Sequence, residues 1–225
     1  MDQRIIAINP NSTQAVTDDM DSALNVLRRD NGPAIECLTL AEGPPGIESQ
    51  RTADQVVMPL CRLVESHDNR ADAFVIACFS DPGLHAVRET TAKPVFGIAE
   101  SGLLTAMGLG ERVGIIAILD SSVRRHRRFL RALGIESRIA GEIPVGLGIL
   151  EMADEAITLA RMTEAGERLR DEHEADVLVM GCAGMARYRS RMEGALGLPV
   201  IDPTQAAVAM AMTALTLDYR PARLS

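Results

Sequence analysis

The chain is 225 residues long, 47% hydrophobic and 24% charged, with a formal net charge of -8. That length supports one large or two small cores, and the acidic balance argues against nucleic acid or an anionic membrane as the main partner. Aromatic residues make up 3% of the chain and tryptophan is absent, too little for a base-stacking platform.

No apolar run approaches the length of a membrane span, and no signal-like segment leads the chain, so a cytoplasmic protein is expected. Four cysteines without paired or metal-type spacing read as reduced thiols. Lys93 is the only lysine and precedes Pro94, a poor place for a Schiff-base cofactor. His67, His85, His126 and His173 form no pair at metal-ligand spacing. Chemistry without a cofactor or metal is expected.

Short apolar runs alternate with longer amphipathic stretches, the pattern of βα units around parallel sheets. A strand over 4–9 leads into Asn9-Pro10-Asn11-Ser12-Thr13, and a strand over 34–40 leads into a Gly/Pro loop at 42–49. Pro59 should split the helical stretch that follows. The third strand, 72–78, opens after Ala71 and ends on Cys78; Ser80-Asp81-Pro82 then reads as a helix start capped by Asp81. A fourth strand is expected at 94–98.

The second half repeats the scheme with strands at 112–119, 137–143, 176–181 and 199–201 and a Gly/Pro loop at 144–148. Asp120-Ser121 follows its first strand, where a Ser/Asp helix cap is the plain reading. Arg124-Arg125-His126-Arg127-Arg128 reads as a solvated helix face or a subunit contact. Gly108-Leu109-Gly110 precedes a strand instead of following one and is no dinucleotide loop.

The halves echo each other. Arg112 follows Arg4 by 108 positions, Cys182 follows Cys78 by 104, and Pro199-Val200 follows Pro94-Val95 by 105. Ala153-Asp154 follows Ala53-Asp54 by 100. Offsets this even, in one order, point to a duplicated α/β unit. In open α/β sheets ligands bind beyond the carboxyl ends of strands, where both Cys78 and Cys182 fall. A thiolate is a competent base and a thiol a competent acid near neutral pH. One of each, on opposite faces of a carbon beside a carbonyl, would invert that carbon through an enolate. Cys37, within a strand, and Cys61, within a helix, read as small buried hydrophobes.

Four segments together resemble the hydantoin racemase branch of the aspartate/glutamate/hydantoin racemase superfamily. They are Asn9-Pro10-Asn11-Ser12-Thr13, Ala77-Cys78-Phe79-Ser80-Asp81-Pro82-Gly83-Leu84, Gly97-Ile98-Ala99-Glu100 and Gly181-Cys182-Ala183-Gly184-Met185. The resemblance implies two pseudo-symmetric α/β domains, each a mainly parallel sheet flanked by helices, with the active site between them. It divides the chain into 1–98 with 206–225 and 99–205, the C-terminal helix returning to the first domain. It also implies no cofactor, a homo-oligomer, and Cys78 and Cys182 as the catalytic pair.

Asn9, Asn11, Ser12, Ile47, Phe79, Ser80, Ser121, Ala183 and Gly184 are the expected substrate-binding positions. The resemblance implies more: amino-acid racemases of that superfamily carry Asn or Thr beside the thiols to grip a zwitterion, and Phe79, Ala183 and Gly184 in those places suit a cyclic ureide such as a 5-substituted hydantoin or allantoin. An aspartate or glutamate racemase, or a maleate isomerase, using the same cysteines is the alternative. A small-molecule binder or thiol-redox sensor is the alternative outside enzymes.

Overall fold

The computed structural model describes residues 3–149 and 151–222. The chain divides into two units, Met1–Ser101 with Thr204–Ser225, and Gly102–Pro203. Residues 1, 2 and 223–225, which the expected first domain includes, and residue 150 lie outside the described residues.

The first unit carries β1 (Arg4–Asn9), α1 (Gln14–Ala23), β2 (Ala34–Thr39), α2 (Gln50–Gln55), α3 (Val57–His67), β3 (Ala73–Ile76), α4 (Leu84–Thr90) and β4 (Val95–Gly97). Its parallel sheet runs β2-β1-β3-β4. α5 (Ile98–Met107) continues from β4 without a loop, and the boundary between the units falls inside it. The second unit carries β5 (Val113–Ala117), α6 (Asp120–Leu133), β6 (Ile139–Pro144), α7 (Glu155–Asp171), β7 (Val177–Met180), α8 (Arg189–Leu196) and β8 (Val200–Ile201). Its parallel sheet runs β6-β5-β7-β8. α9 (Pro203–Thr216) belongs almost wholly to the first unit, where Gln205 Nε2 donates to Ala23 O at 2.9 Å.

All eight expected strands are present, and their registers reproduce the sequence echo. Ile5 pairs with Ala73 and Val113 with Val177; Phe74 pairs with Val95 and Leu178 with Val200. Successive strand residues point to opposite faces. In the first unit Ile6, Ile8, Phe74, Ile76 and Val95 meet α2, α3 and α4 in one core. Ile116, Ile143, Leu178, Met180 and Val200 meet α7 and α8 in the second. The alternate residues Ile5, Ala7, Ala73, Val75, Ile115, Val177 and Val179 are also fully buried. Sheets covered on both faces need such near-continuous apolar runs.

The repeated Ala-Asp at the start of the third strand has a physical role in each unit. Asp72 accepts the Arg4 N–H at 2.8 Å and returns its own N–H to Arg4 O. Asp176 accepts from Glu111 and Arg112, each at 2.9 Å, and its N–H donates to Arg112 O. Burial alone would push the Asp176 carboxyl up, but the N–H groups of Glu111 and Arg112 hold it below the ordinary range. A carboxylate at this point fixes where the first strand of each unit begins.

The Ala53/Ala153 echo has no such common role. Asp54 lies within α2, whereas Asp154 is the N-cap of α7 and accepts the Ile157 N–H at 3.1 Å. The helical stretch around Pro59 is split, as expected, but at Val56. Pro59 is thereby the third residue of α3, where a missing N–H removes no helical hydrogen bond.

Candidate active site

The two thiols occupy one topological place twice. Cys78 lies two residues beyond the end of β3 and Cys182 two beyond β7; both strands end before the cysteines, shorter than the sequence suggests. Both thiols are half-buried. Cys78 Sγ stands 4.0 Å from Ser80 Oγ. Cys182 is the N-cap of a 3-10 turn, Ala183–Tyr188, and accepts the Met185 N–H at 3.2 Å through its carbonyl. A Cβ added at Gly184 would lie 3.8 Å from Cys182 Sγ, so this glycine keeps the ground beside the sulfur open.

The remaining cysteines differ. Burial and the hydrogen bond with Asp21 push the Cys37 thiol up to about 12, and burial also raises Cys61. A raised thiol supplies less thiolate near neutral pH.

The loop after Cys78 departs from expectation. α4 begins at Leu84, not Pro82, with Gly83 at φ +72 as its N-cap and no side-chain cap. Asp81 does not cap it. Its backbone is left-handed, φ +46, and its buried carboxylate reaches the start of α5, accepting Ala99 N–H and Glu100 N–H at 2.8 Å each. The reason lies in α5: it follows β4 directly, has no preceding loop to offer a cap, and its first N–H groups need an acceptor. Gly97 makes the room, since a Cβ there would sit 2.2 Å from Asp81 Cγ. Burial pushes the Asp81 carboxyl up to about 7 against the pull of the two N–H donors; Glu100 also raises it and Arg88 lowers it.

Asn9, Asn11 and Ser12 organise the loop after β1. Asn9 is fully buried; its Nδ2 donates to Asn11 Oδ1, Thr17 Oγ1 and Thr13 O, and its Oδ1 accepts the Asn11 N–H. Asn11 Oδ1 accepts the Thr13 N–H at 2.9 Å. Ser12 N–H donates to Pro44 O, and Thr13 Oγ1 to Pro45 O, fastening this loop to the first Gly/Pro loop. The Asn9 side chain is thus committed to the loop itself.

Ile47 is 2% exposed and packs in the first core, and Phe79 is 3% exposed. Ser80 is half-buried. In the second unit Ser121 is half-buried in the first turn of α6, while Ala183 and Gly184 are buried and begin the 3-10 turn after Cys182. In the first unit Cys78, Phe79 and Ser80 are consecutive, as are Cys182, Ala183 and Gly184 in the second.

The arginine run on α6 is not a uniform solvated face. Arg124, Arg127 and Arg128 are exposed, but Ser122, Arg125 and His126 face inward. His126 Nδ1 lies 2.5 Å from Glu142 Oε1 on β6, with both side chains nearly fully buried. The i, i+3, i+4 spacing of Ser122, Arg125 and His126 was the available signal for this polar inner face.

Among the described residues no group of three or more His, Cys, Asp or Glu could hold a metal ion, and no helix is long and apolar enough to cross a membrane.

Two like α/β units, each with a half-buried thiol beyond its third strand, define a duplicated α/β protein with one cysteine at the same place in each half. The sequence profile of the Asp/Glu/Hydantoin racemase family matches residues 5–211. A hydantoin racemase of Paenarthrobacter aurescens is 35% identical over 98% of this chain and 94% of its own length. One of Pseudomonas sp. (strain NS671) is 33% identical over 98% and 89%. The solved allantoin racemase from Klebsiella pneumoniae superposes with a TM-score of 0.93 at 28% identity, over 98% of this chain and 90% of that one. The chain belongs to the Asp/Glu/Hydantoin racemase family and is an isomerase, a racemase.

Proposed function

We propose that this racemase acts on a cyclic ureide, a 5-substituted hydantoin or allantoin, by two-base proton transfer between Cys78 and Cys182. The observation that carries the reading is the half-buried thiol two residues past the third strand of both units, while burial raises the thiols of Cys37 and Cys61. Likeness to hydantoin and allantoin racemases supports the substrate class.

In each turnover one thiolate removes the proton from the ring carbon beside the carbonyl. The electron pair of the C–H bond moves into that carbonyl as an enolate. The other cysteine, starting as thiol, gives its proton to the opposite face of the same carbon. The ring leaves inverted and the two sulfurs leave with protonation states exchanged, so no cofactor is consumed.

A 3-10 turn leaves its first N–H groups without partners inside the turn, so those of Ala183 and Gly184 are suited to the developing oxyanion. Phe79, Ala183 and Gly184 offer no side-chain charge to a zwitterion, which favours an uncharged ring. Ser12, Ser80 and Ser121 offer hydroxyls, while Ile47, buried in the first core, supports the first Gly/Pro loop from beneath. Asn9 and Asn11 support the loop that presents Ser12. The assembly proposed is a homo-oligomer in the cytoplasm.

The test is loss of optical rotation, without added cofactor and with a mild reductant, on both enantiomers of benzylhydantoin, isopropylhydantoin, allantoin, aspartate and glutamate. Racemisation of a ureide from either side is expected. Activity confined to aspartate or glutamate would overturn the substrate class. Cys78→Ser and Cys182→Ser should each abolish racemisation, while each retains solvent-deuterium exchange with one ureide enantiomer. Wild-type racemisation by either variant would end the two-base reading.

A further inference from the structure

The loop that carries Cys78 is closed into a ring by a carboxylate, a residue type that Ala183–Tyr188 after Cys182 does not contain. Gly97, the last residue of β4, pairs with Ile76, two residues before Cys78. From Gly97 the chain enters α5, whose Ala99 and Glu100 N–H groups bond the Asp81 carboxylate at 2.8 Å each. From Asp81 the backbone returns to the start, because the Cys78 carbonyl accepts the N–H groups of Ser80 and Asp81 at 2.8 and 3.0 Å. Arg88 braces the ring from α4: its Nε donates to Val95 O at 3.1 Å and it pairs with Glu100 at 2.7 Å.

The turn is therefore held at its start by the Cys78 carbonyl and at its end by the Asp81 carboxylate. The left-handed φ of Asp81 is a conformation a non-glycine residue rarely adopts, and it aims the carboxylate at α5 rather than at its own helix.

We infer that Asp81 is a positioning residue for Cys78: by bonding the start of α5 across the space left by Gly97, it fixes the turn on which the Cys78 thiol is presented. It touches no reacting atom in this assignment and acts only through the Cys78 turn. The inference rests on the reading of Cys78 as a reacting thiol.

Racemisation rates cannot isolate one thiol, since both act in every turnover, so the experiment uses one-thiol backgrounds. Asp81→Asn and, separately, Asp81→Gly are placed in Cys182→Ser and in Cys78→Ser. Both replacements accept positive φ, so either can report if the other misfolds. Deuterium exchange of allantoin or benzylhydantoin is followed for the enantiomer that each background exchanges. In Cys182→Ser the added substitution should slow exchange at least tenfold, mainly in kcat, with KM within about threefold. In Cys78→Ser it should leave exchange within twofold. An equal loss in both backgrounds, or no loss in either, would overturn the inference, the first because it marks a general structural role.

Alkylation by iodoacetamide, followed peptide by peptide with both cysteines present, needs no substrate. Asp81→Asn should change the Cys78 rate at least threefold and the Cys182 rate less than twofold; equal rates would overturn the positioning role. If neither one-thiol background exchanges a ureide, the functional reading fails there, while the alkylation result still decides the role of Asp81.

Discussion

The turns after β3 and β7 begin alike and then diverge. Each places a half-buried thiol two residues past its strand, and each unit carries an arginine that ties the next helix back to the fourth strand. Arg88 Nε donates to Val95 O and Arg189 Nε to Val200 O, both at 3.1 Å. Before the thiol, Ala77 of the first unit stands where the second has Gly181. After it, the first unit makes an open turn anchored by a buried carboxylate, whereas the second winds directly into a 3-10 turn of largely buried residues. The frame is duplicated and the presentation of the sulfur is not. One turn is held by a buried carboxyl whose protonation changes near neutral pH, the other by close packing, so the two thiols should respond differently to the same perturbation.

The largest expected contrast is in pH dependence. The Asp81 carboxyl is pushed up to about 7 in the folded chain from an ordinary 3.8. A raised carboxyl binds its proton more tightly when folded, so its contribution to stability is complete below about pH 4 and is lost as pH rises through about 7. Urea titrations at pH 4 and pH 8 should show wild type losing up to about 4 kcal/mol relative to Asp81→Asn across that window. A constant difference between the two proteins would show that burial does not govern this carboxyl.

Packing gives the next contrast. A Cβ at Gly181 would lie 2.6 Å from Ile116 O and 3.2 Å from Ala117 Cα, atoms of a strand that cannot swing aside. Gly181→Ala should cost about 3 kcal/mol in chemical denaturation, against about 1 kcal/mol for Ala77→Gly at the matching place. Equal costs would mean the second turn has slack that its geometry does not show.

The arginine braces should behave alike: Arg88→Ala and Arg189→Ala should each lose about 1–2 kcal/mol in the same assay. A wide gap between them would break the idea of a shared frame. The smallest effect is expected at Gly184, where a Cβ meets Met152 Cε at 3.4 Å and Cys182 Sγ at 3.8 Å, both ordinary or yielding contacts. Gly184→Ala should change stability by less than about 1 kcal/mol while raising KM for a ureide in steady-state assays.

Much of this architecture was legible in the residues. Strands buried on both faces leave unbroken apolar runs, and a duplicated unit leaves the same run twice, so all eight strands and their correspondence could be read without a structure. The thiols could be found because strand ends in open α/β sheets are where chemistry collects. Asp81 was misassigned because Ser-Asp-Pro is a strong local signal for capping the next helix. Its true partner lies 18 residues away, across a strand pairing that local pattern does not encode. Arg125 and His126 were hidden in a run of five basic residues whose helical phase, not its composition, decides which ones face inward. Asn9 matched a substrate-side position, yet its amide is spent on Asn11, Thr13 and Thr17, because a buried amide takes the nearest acceptors.

The division of the chain also bears on how it comes to be folded. The second unit is one uninterrupted stretch, Gly102–Pro203, whereas the first is completed only by Thr204–Ser225. On a ribosome the earlier-made unit is therefore the later one to finish, since its last helix emerges after the whole of its neighbour. Until α9 arrives, the groups it covers stay open to solvent, among them the Ala23 carbonyl that Gln205 will meet. Nascent chains stalled before residue 204 should show a protease-resistant second unit beside a first unit that is still readily cut.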